Sequence, residues 1–415
     1  MFSYYRGMDL IALAVPFFLL LILVELVVDR VRRTGNYRSN DAINSLSIGV
    51  FSTTSGYFTT FLAWTIWGFV LSNLAIVEMQ SSWFDSSLSG IGLWILAAIG
   101  WDLCYYWHHR LGHEVSILWA AHAVHHQSED YNLSTALRQT SSGFILGWVF
   151  YLPLFLLGFP IDVLISVGAI NLIYQFWVHT QQVRRLGMLD RILVTPSNHR
   201  VHHAQNERYL DKNYGGIFIL WDRMFGSFAE ELDEEPVVFG VRKPLQTWNP
   251  IWANFQVYNY LWFDAKKTAR WQDKISVWFG RTGWRPADME AQYPKSRSNL
   301  DQFQKFDPKV SRARDGYVMG QFAVLALATM WVGDGYAKLG AQVVLVPCLL
   351  LWVSLFTIGL LNEGRKHAIL FERIRLLIIV PMAFFAFDTA VLAMSLTVYL
   401  CLGSYILVSF LSLRE

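Results

Sequence analysis

Apolar residues in this chain are gathered into blocks about as long as a membrane is thick. Asp9 to Val28 is nearly unbroken, and about 20 apolar residues in a helix span a hydrocarbon core. The stretch from about Ile43 to Ile76 predicts one tilted helix with an amphipathic lead-in. A third block, roughly Gly90 to Trp107, flows directly into a histidine-bearing segment. Phe144–Phe159 and Ile161–Val178 are parted only by Phe159-Pro160. That junction predicts a tight hairpin of two helices, because proline cannot continue the first. About Thr180 to Asp315 is polar and basic, punctuated by Gly, Pro and Asn, with no spanning candidate. Apolar runs resume at about Tyr317–Val332, Ala341–Leu361 and Leu376–Leu413. The last is long enough for a hairpin, with Asp388 and Gly403 blurring its limits.

The pattern predicts an all-α, polytopic membrane protein in three parts. Transmembrane helices fill residues 1–100, a catalytic region with the hairpin fills 101–315, and C-terminal transmembrane helices fill 316–415. The segment before the first block is short and lacks a small-residue cleavage site, so that block reads as a retained anchor. Composition agrees: 54% of residues are hydrophobic and only 16% charged, against about a quarter charged in soluble domains. A net charge of +2 gives no argument for a nucleic-acid partner. Cys104, Cys348 and Cys401 lie in apolar stretches without CxxC spacing, so they leave the compartment undecided.

Loop charge orients the set. Arg30, Arg32, Arg33 and Arg38 follow the first block, while Glu78–Gly90 holds no Lys or Arg. The region 180–315 is basic, and Arg365, Lys366, Arg373 and Arg375 cluster later. The positive-inside rule makes these basic loops cytoplasmic. Alternating spans then bring the end of the third block, both ends of the hairpin and the polar region to that same face. The membrane is the plasma membrane in a bacterium and the endoplasmic reticulum in a eukaryote.

Ten of the eleven histidines fall between His108 and His203. They form His109-x-x-x-His113, His122-x-x-His125-His126 and His199-x-x-His202-His203, with His179 alone between the last two. A helix turns about 100° per residue, so each cluster presents its imidazoles to one side. A lone HxxxH is weak evidence, but HxxHH twice with a third pair upstream is hard to explain as solvated surface. Asn171, Gln175 and His179 fall at i, i+4, i+8 and draw a polar stripe down an apolar helix toward the clusters. His108 points about 100° away from His109, and His367 sits in a distant basic loop. A catalytic zinc site needs three ligands and an open position, fewer than are gathered here. His113-Glu114-Val115-Ser116-Ile117 starts like HExxH but ends in Ile, and the Glu-x-x-His motifs of soluble di-iron bundles are absent. A nearly all-histidine dinuclear site remains. Iron suits O₂ activation on an apolar substrate, and donor type alone also admits zinc or copper.

These clusters are the signature of the fatty acid hydroxylase/sterol desaturase superfamily, which this chain resembles. Longer strings resemble its alkylglycerol monooxygenase branch. They include Asp102 to Arg110, Ser128 to Gln139, Tyr174 to Thr180, Thr195 to His203, and Asp211 to Gly216 through Trp221 to Gly226. The similarity is strong over about Arg38–Asn249 and looser beyond. It implies two Fe ions on His109, His113, His122, His125, His126, His199, His202 and His203, with His179 a ninth ligand. Glu114 matches an acidic residue of the branch and is a candidate catalytic residue that completes or orients the ligand set; its bland alternative is a surface pair with Arg110 at i, i+4. Two positions depart from the pattern, His108 and Asn198, and neither removes a ligand. The resemblance implies O₂-dependent hydroxylation beside an ether oxygen, releasing fatty aldehyde and a glycerol derivative. Its partners would be a lipid substrate, O₂, and tetrahydrobiopterin or a reductase as electron donor; no pterin-binding motif is visible. A fatty acyl or sterol hydroxylase or desaturase is the alternative within enzymes. A membrane metal or haem carrier is the alternative outside them.

Overall fold

The computed structural model describes residues 6–295, 299–386 and 391–414. Among them helices dominate and no β-strand forms; Val115–Arg281, Leu193–Phe218 and Ala204–Phe239 are isolated antiparallel bridges. The first helices are α1 (Arg6–Arg32), α2 (Ser39–Thr59), α3 (Phe61–Leu74), α4 (Leu88–Glu114) and α5 (Ser116–His126). Short α6 (Leu133–Ala136) and α7 (Leu152–Leu156) precede α8 (Ile161–Trp177), α9 (Pro196–His202) and α10 (Leu220–Phe225). Then come α11 (Pro250–Lys267), α12 (Trp271–Phe279) and α13 (Ala287–Gln292). Four long helices close the chain: α14 (Arg312–Leu339), α15 (Ala341–Asn362), α16 (Ala368–Ala386) and α17 (Val391–Arg414). Most of α1, and all of α4, α14 and α15, are long and apolar enough to cross a membrane. This is a multi-pass membrane protein.

The chain divides into two compact units. One takes residues up to 38, 59–245 and 254–304; the other takes 39–58, 246–253 and 305 onward. In the first, α1 lies along α8, with Phe18 stacked on Phe176 at 4.0 Å. Trp67 of α3 stacks on Phe155 of α7, and Trp101 of α4 stacks on Tyr151. These apolar contacts leave one end of α4 and α8 to carry the histidines. The outer faces of α11 and α12 expose Phe255, Trp262, Phe263, Trp271, Ile275 and Phe279, interleaved with Lys266, Lys267 and Arg270. Aromatic rings beside basic groups suit a membrane surface.

In the second unit α2 packs among the C-terminal helices. Its Thr54 hydroxyl accepts from Trp352 Nε1 at 2.8 Å, and Tyr57 stacks on Tyr336 at 4.1 Å. The core here is aliphatic, built from Val318, Leu325, Leu351, Leu355 and Ile358.

Two expectations need correction. The block from about Ile43 to Ile76 is not one tilted helix: it divides at Thr60 into α2 and α3, because its halves join different cores. The first limb of the expected hairpin is not a full helix either. Residues 143–151 form 3₁₀ turns and only Leu152–Leu156 is α-helical. Gly147 lies so close to His108 that a Cβ there would sit 3.2 Å from the ring. That close packing draws the segment against α4 at the cost of its own helix. The last apolar run gives two helices, α16 and α17, packed on each other, and Asp388 lies outside the described residues.

Candidate metal centre

The side chain of Ser87 caps α4 by accepting from the Gly90 N–H at 3.1 Å, and the helix then runs past its apolar stretch to His109 and His113. It ends where Val115 turns extended and bridges to Arg281. After that one-residue break α5 brings His122 Nε2 to 3.1 Å from His109 Nε2, and His126 Nε2 to 3.2 Å from His113 Nε2. The third cluster lies on α9, with Pro196 at its start and His203 as the residue that caps its end.

The nine imidazoles gather into two groups that cut across the sequence clusters. His109, His113, His122, His126 and His202 form one; His125, His179, His199 and His203 form the other. Helix geometry explains the division. In HxxHH the first and last residues differ by about 40° in direction, while the middle histidine leans about 60° the other way. His122 and His126 therefore stay together and His125 crosses over. On α9, His199 and His203 stay together and His202 crosses over. The two groups touch, with the His126 and His203 rings stacked at 4.3 Å.

Main-chain carbonyls set the tautomers. His109 Nδ1 donates to the Tyr214 carbonyl at 2.8 Å and His202 Nδ1 to that of Lys212 at 3.0 Å. In the second group His125 Nδ1 donates to the Arg138 carbonyl at 2.9 Å and His179 Nδ1 to that of Gln175 at 2.7 Å. A carbonyl can only accept, so each Nδ1 carries the proton and each Nε2 an inward lone pair. His125 and His179 then face each other lone pair to lone pair across 3.3 Å, a repulsive contact unless a cation lies between. His202 Nε2, His203 Nε2 and His199 Nδ1 are also buried without a hydrogen-bond partner. Two nitrogens bound at right angles to one metal, each about 2.1 Å away, lie about 3.0 Å apart. The Nε2 pairs here are 2.9–3.3 Å apart. The donor set fits a transition-metal ion in each group.

Burial, and secondarily neighbouring imidazoles, holds His122, His126, His179, His199, His202 and His203 well below the ordinary histidine pKa. His125 is lowered by burial to about 4. Neutral imidazole is the form that binds metal.

Two buried aspartates hold the loop that supplies two of those carbonyls. Asp222 accepts from the Tyr214 and Gly215 N–H groups at 2.7 and 2.8 Å. Asp102, inside α4, accepts from Ile217 and Phe218 N–H at 2.8 and 3.0 Å, Trp221 Nε1 at 2.9 Å and Asn171 Nδ2 at 2.7 Å. Gly216 makes that approach possible, since a Cβ there would fall 2.7 Å from Asp102 Oδ1. The polar stripe of α8 completes the chain: Asn171 accepts from Gln175 at 2.6 Å, and Gln175 accepts from the Tyr105 hydroxyl at 2.6 Å. Arg138, 1% exposed, donates Nε to the Val124 carbonyl at 2.6 Å, and its own carbonyl takes the His125 proton.

His179 joins the second group, while Glu114 joins neither. Its carboxylate accepts from Arg110 Nε at 3.0 Å. His108 stacks on Phe150 at 5.1 Å, away from both groups, and His367 is exposed. Sequence reading missed Asp102, Asp222, Tyr214 and Arg138. The signal for Asp102 was present, as an acidic residue inside a spanning helix; main-chain carbonyls as histidine partners leave none.

A sequence model of the fatty acid hydroxylase family matches residues 94–227, the stretch that carries all nine imidazoles. The human (Homo sapiens) alkylglycerol monooxygenase is 36% identical over 375 residues, covering 89% of this chain and 81% of that protein. The Danio rerio alkylglycerol monooxygenase is 38% identical over 370 residues, covering 88% and 80%. An ornithine lipid hydroxylase of Rhizobium tropici is 35% identical over only 127 residues, 30% of this chain and 38% of that protein. No solved structure matches. Similarity that extends far beyond the histidine region places this chain in the alkylglycerol monooxygenase family, with a fatty acid hydroxylase domain at its centre.

Proposed function

We propose that this chain is an O₂-dependent monooxygenase that cleaves the ether bond of alkylglycerols, with two iron ions held by the nine imidazoles. The carrying observation is the pair of imidazole groups whose inward lone pairs call for cations, in a chain similar along most of its length to alkylglycerol monooxygenases. His109, His113, His122, His126 and His202 would hold one ion; His125, His179, His199 and His203 would hold the other. When bound, the metal pair supplies O₂ activation and oxidation of an unactivated C–H bond.

The overall reaction balances as ether lipid plus O₂, two electrons and two protons, giving α-hydroxy ether and water. The α-hydroxy ether is a hemiacetal. Its hydroxyl proton passes to the ether oxygen as the C–O bond breaks, leaving fatty aldehyde and glycerol. Tetrahydrobiopterin is the electron donor we favour, with a protein reductase as the alternative.

The chain's own groups set the geometry. The Tyr214, Lys212, Arg138 and Gln175 carbonyls hold four imidazoles lone pair inward, and Asp102 and Asp222 hold the loop behind two of them. The apolar faces of α1, α4 and α8 would give an alkyl tail a hydrocarbon surface to lie on. Glu114, paired with Arg110, steadies the end of α4 beside the centre. The basic loops after α1 and through 180–315 support a cytoplasmic-facing site.

A mixed set of 1-O-alkylglycerols and matching acylglycerols, incubated under ¹⁸O₂ with reduced pterin, tests the reading. Fatty aldehyde, reduced in place to ¹⁸O-labelled alcohol, should form from the ether lipid only. An intact ether with a hydroxylated or desaturated chain would instead assign the acyl- or sterol-type chemistry.

A further inference from the structure

The second unit holds a cavity that the oxidation chemistry does not use. A half-open pocket of about 210 Å³ lies among helices α14 to α17, more than the roughly 150 Å³ in which an apolar protein cavity takes up benzene. Leu325, Val332, Leu351 and Leu376 form a buried aliphatic wall. Val324, Trp331 and Leu400 also line it, yet are 39%, 48% and 46% exposed, so its mouth opens on the apolar outer face of the helices. One end is polar. There the Arg375 guanidinium, 4% exposed, donates Nε to Glu372 at 2.8 Å, Nη2 to Gln321 at 2.6 Å and Nη1 to Ser354 at 3.2 Å. Gln321 in turn donates to the Ser404 hydroxyl at 2.7 Å.

The charge balance decides what this end can receive. Glu372, fully buried, also accepts from Nη2 of Arg375 and from the Tyr317 hydroxyl. The pair neutralises itself, so an anionic head would bring an uncompensated charge into an apolar space. The second Nη1 hydrogen and the hydrogen of Ser404, whose oxygen already accepts from Gln321, are donors for an incoming oxygen. Buried donors reward a ligand that supplies an acceptor and penalise a pure hydrocarbon.

We infer that this cavity is a second lipid site, separate from the metal centre. It takes a neutral amphiphile with an apolar body and one hydroxyl, ether or carbonyl oxygen. The oxygen meets Ser404 and Arg375, and the body lies against Leu325, Leu351 and Leu376.

Photolabelling of the full-length, iron-loaded protein in lipid nanodiscs tests this. The probes are a long-chain primary alcohol and the fatty acid of equal length, each with a diazirine in the chain. The alcohol should label peptides of α14–α17 saturably and at least about tenfold more efficiently than the acid, a difference of about 1.4 kcal/mol. Filling the cavity with Leu351→Trp should cut that labelling at least about fivefold, with bound iron and thermal midpoint preserved. Glu372→Gln leaves the guanidinium uncompensated and should shift preference toward the acid. Non-saturable labelling, equal labelling by both probes, or undiminished labelling of a folded Leu351→Trp protein would overturn the site. Label on α4 or α8 peptides reports the oxidation site instead, so the two readings fail separately.

Discussion

Two of the polar clusters buried among the described residues are balanced in opposite ways. In the C-terminal helices Arg375, Glu372, Tyr317 and Gln321 close on one another and the two charges cancel. Around the centre of the first unit nine imidazoles gather, and four of them are turned inward by carbonyls that fix their protons on the far side. That arrangement cannot balance itself. Buried polar groups are ordinarily satisfied within the protein; where acceptor faces acceptor, a bound cation would satisfy both. The contrast separates a cluster whose charges cancel within the fold from one whose donors suit a bound cation.

The comparison breaks most visibly at the ligands. His122→Ala or His203→Ala should lower turnover at least about a hundredfold and reduce bound iron, measured by aldehyde release and metal analysis of the same sample. Full activity and full iron in either variant would contradict the shared centre. The C-terminal cluster should answer the opposite test. Glu372→Gln strands a buried guanidinium and should cost about 3–5 kcal/mol of stability, read by thermal or denaturant unfolding, with iron per folded chain unchanged.

Smaller effects probe the supports. Asp102→Asn loses the charge that holds the 217–218 N–H groups and Trp221, and should weaken metal affinity about 10- to 100-fold. Chelator competition would measure it, and an unchanged affinity would remove Asp102 from the positioning role. Acid should distinguish the clusters too. Histidines lowered by burial stay neutral in the fold but take up protons in the unfolded chain near pH 6.5. The unfolded state then binds more protons, so metal-free protein should lose stability as pH falls from about 6.5 toward 4. Unfolding midpoints across that range give the slope, and a flat profile would mean the imidazoles are not buried as described.

Much of this was legible in the sequence, because run length and spacing are local properties. The blocks at Asp9, Gly90, Tyr317 and Ala341 announce helices long enough to span, and HxxHH announces imidazoles on one side of a helix. What escaped depends on partners distant in sequence. Nothing at Thr60 signals that Phe51 will join the C-terminal core while Trp67 packs on Phe155. The 3₁₀ course of residues 143–151 reflects the closeness of Gly147 to His108, which hydropathy cannot register. Three clusters were visible in the chain, yet the division into five and four imidazoles needed the crossing of His125 and His202. Asp102 was readable as an anomaly in an apolar helix, but its task only appears once residues 214–221 fold against it.

The central claim, two ions completed by nitrogen donors alone, is tested most directly by counting iron per chain and recording X-ray absorption on the same active sample. About two irons per chain are expected, each surrounded by imidazole nitrogens at about 2.0–2.2 Å. One metal ion per chain at full activity, or a shell dominated by carboxylate oxygen or sulfur, would contradict it.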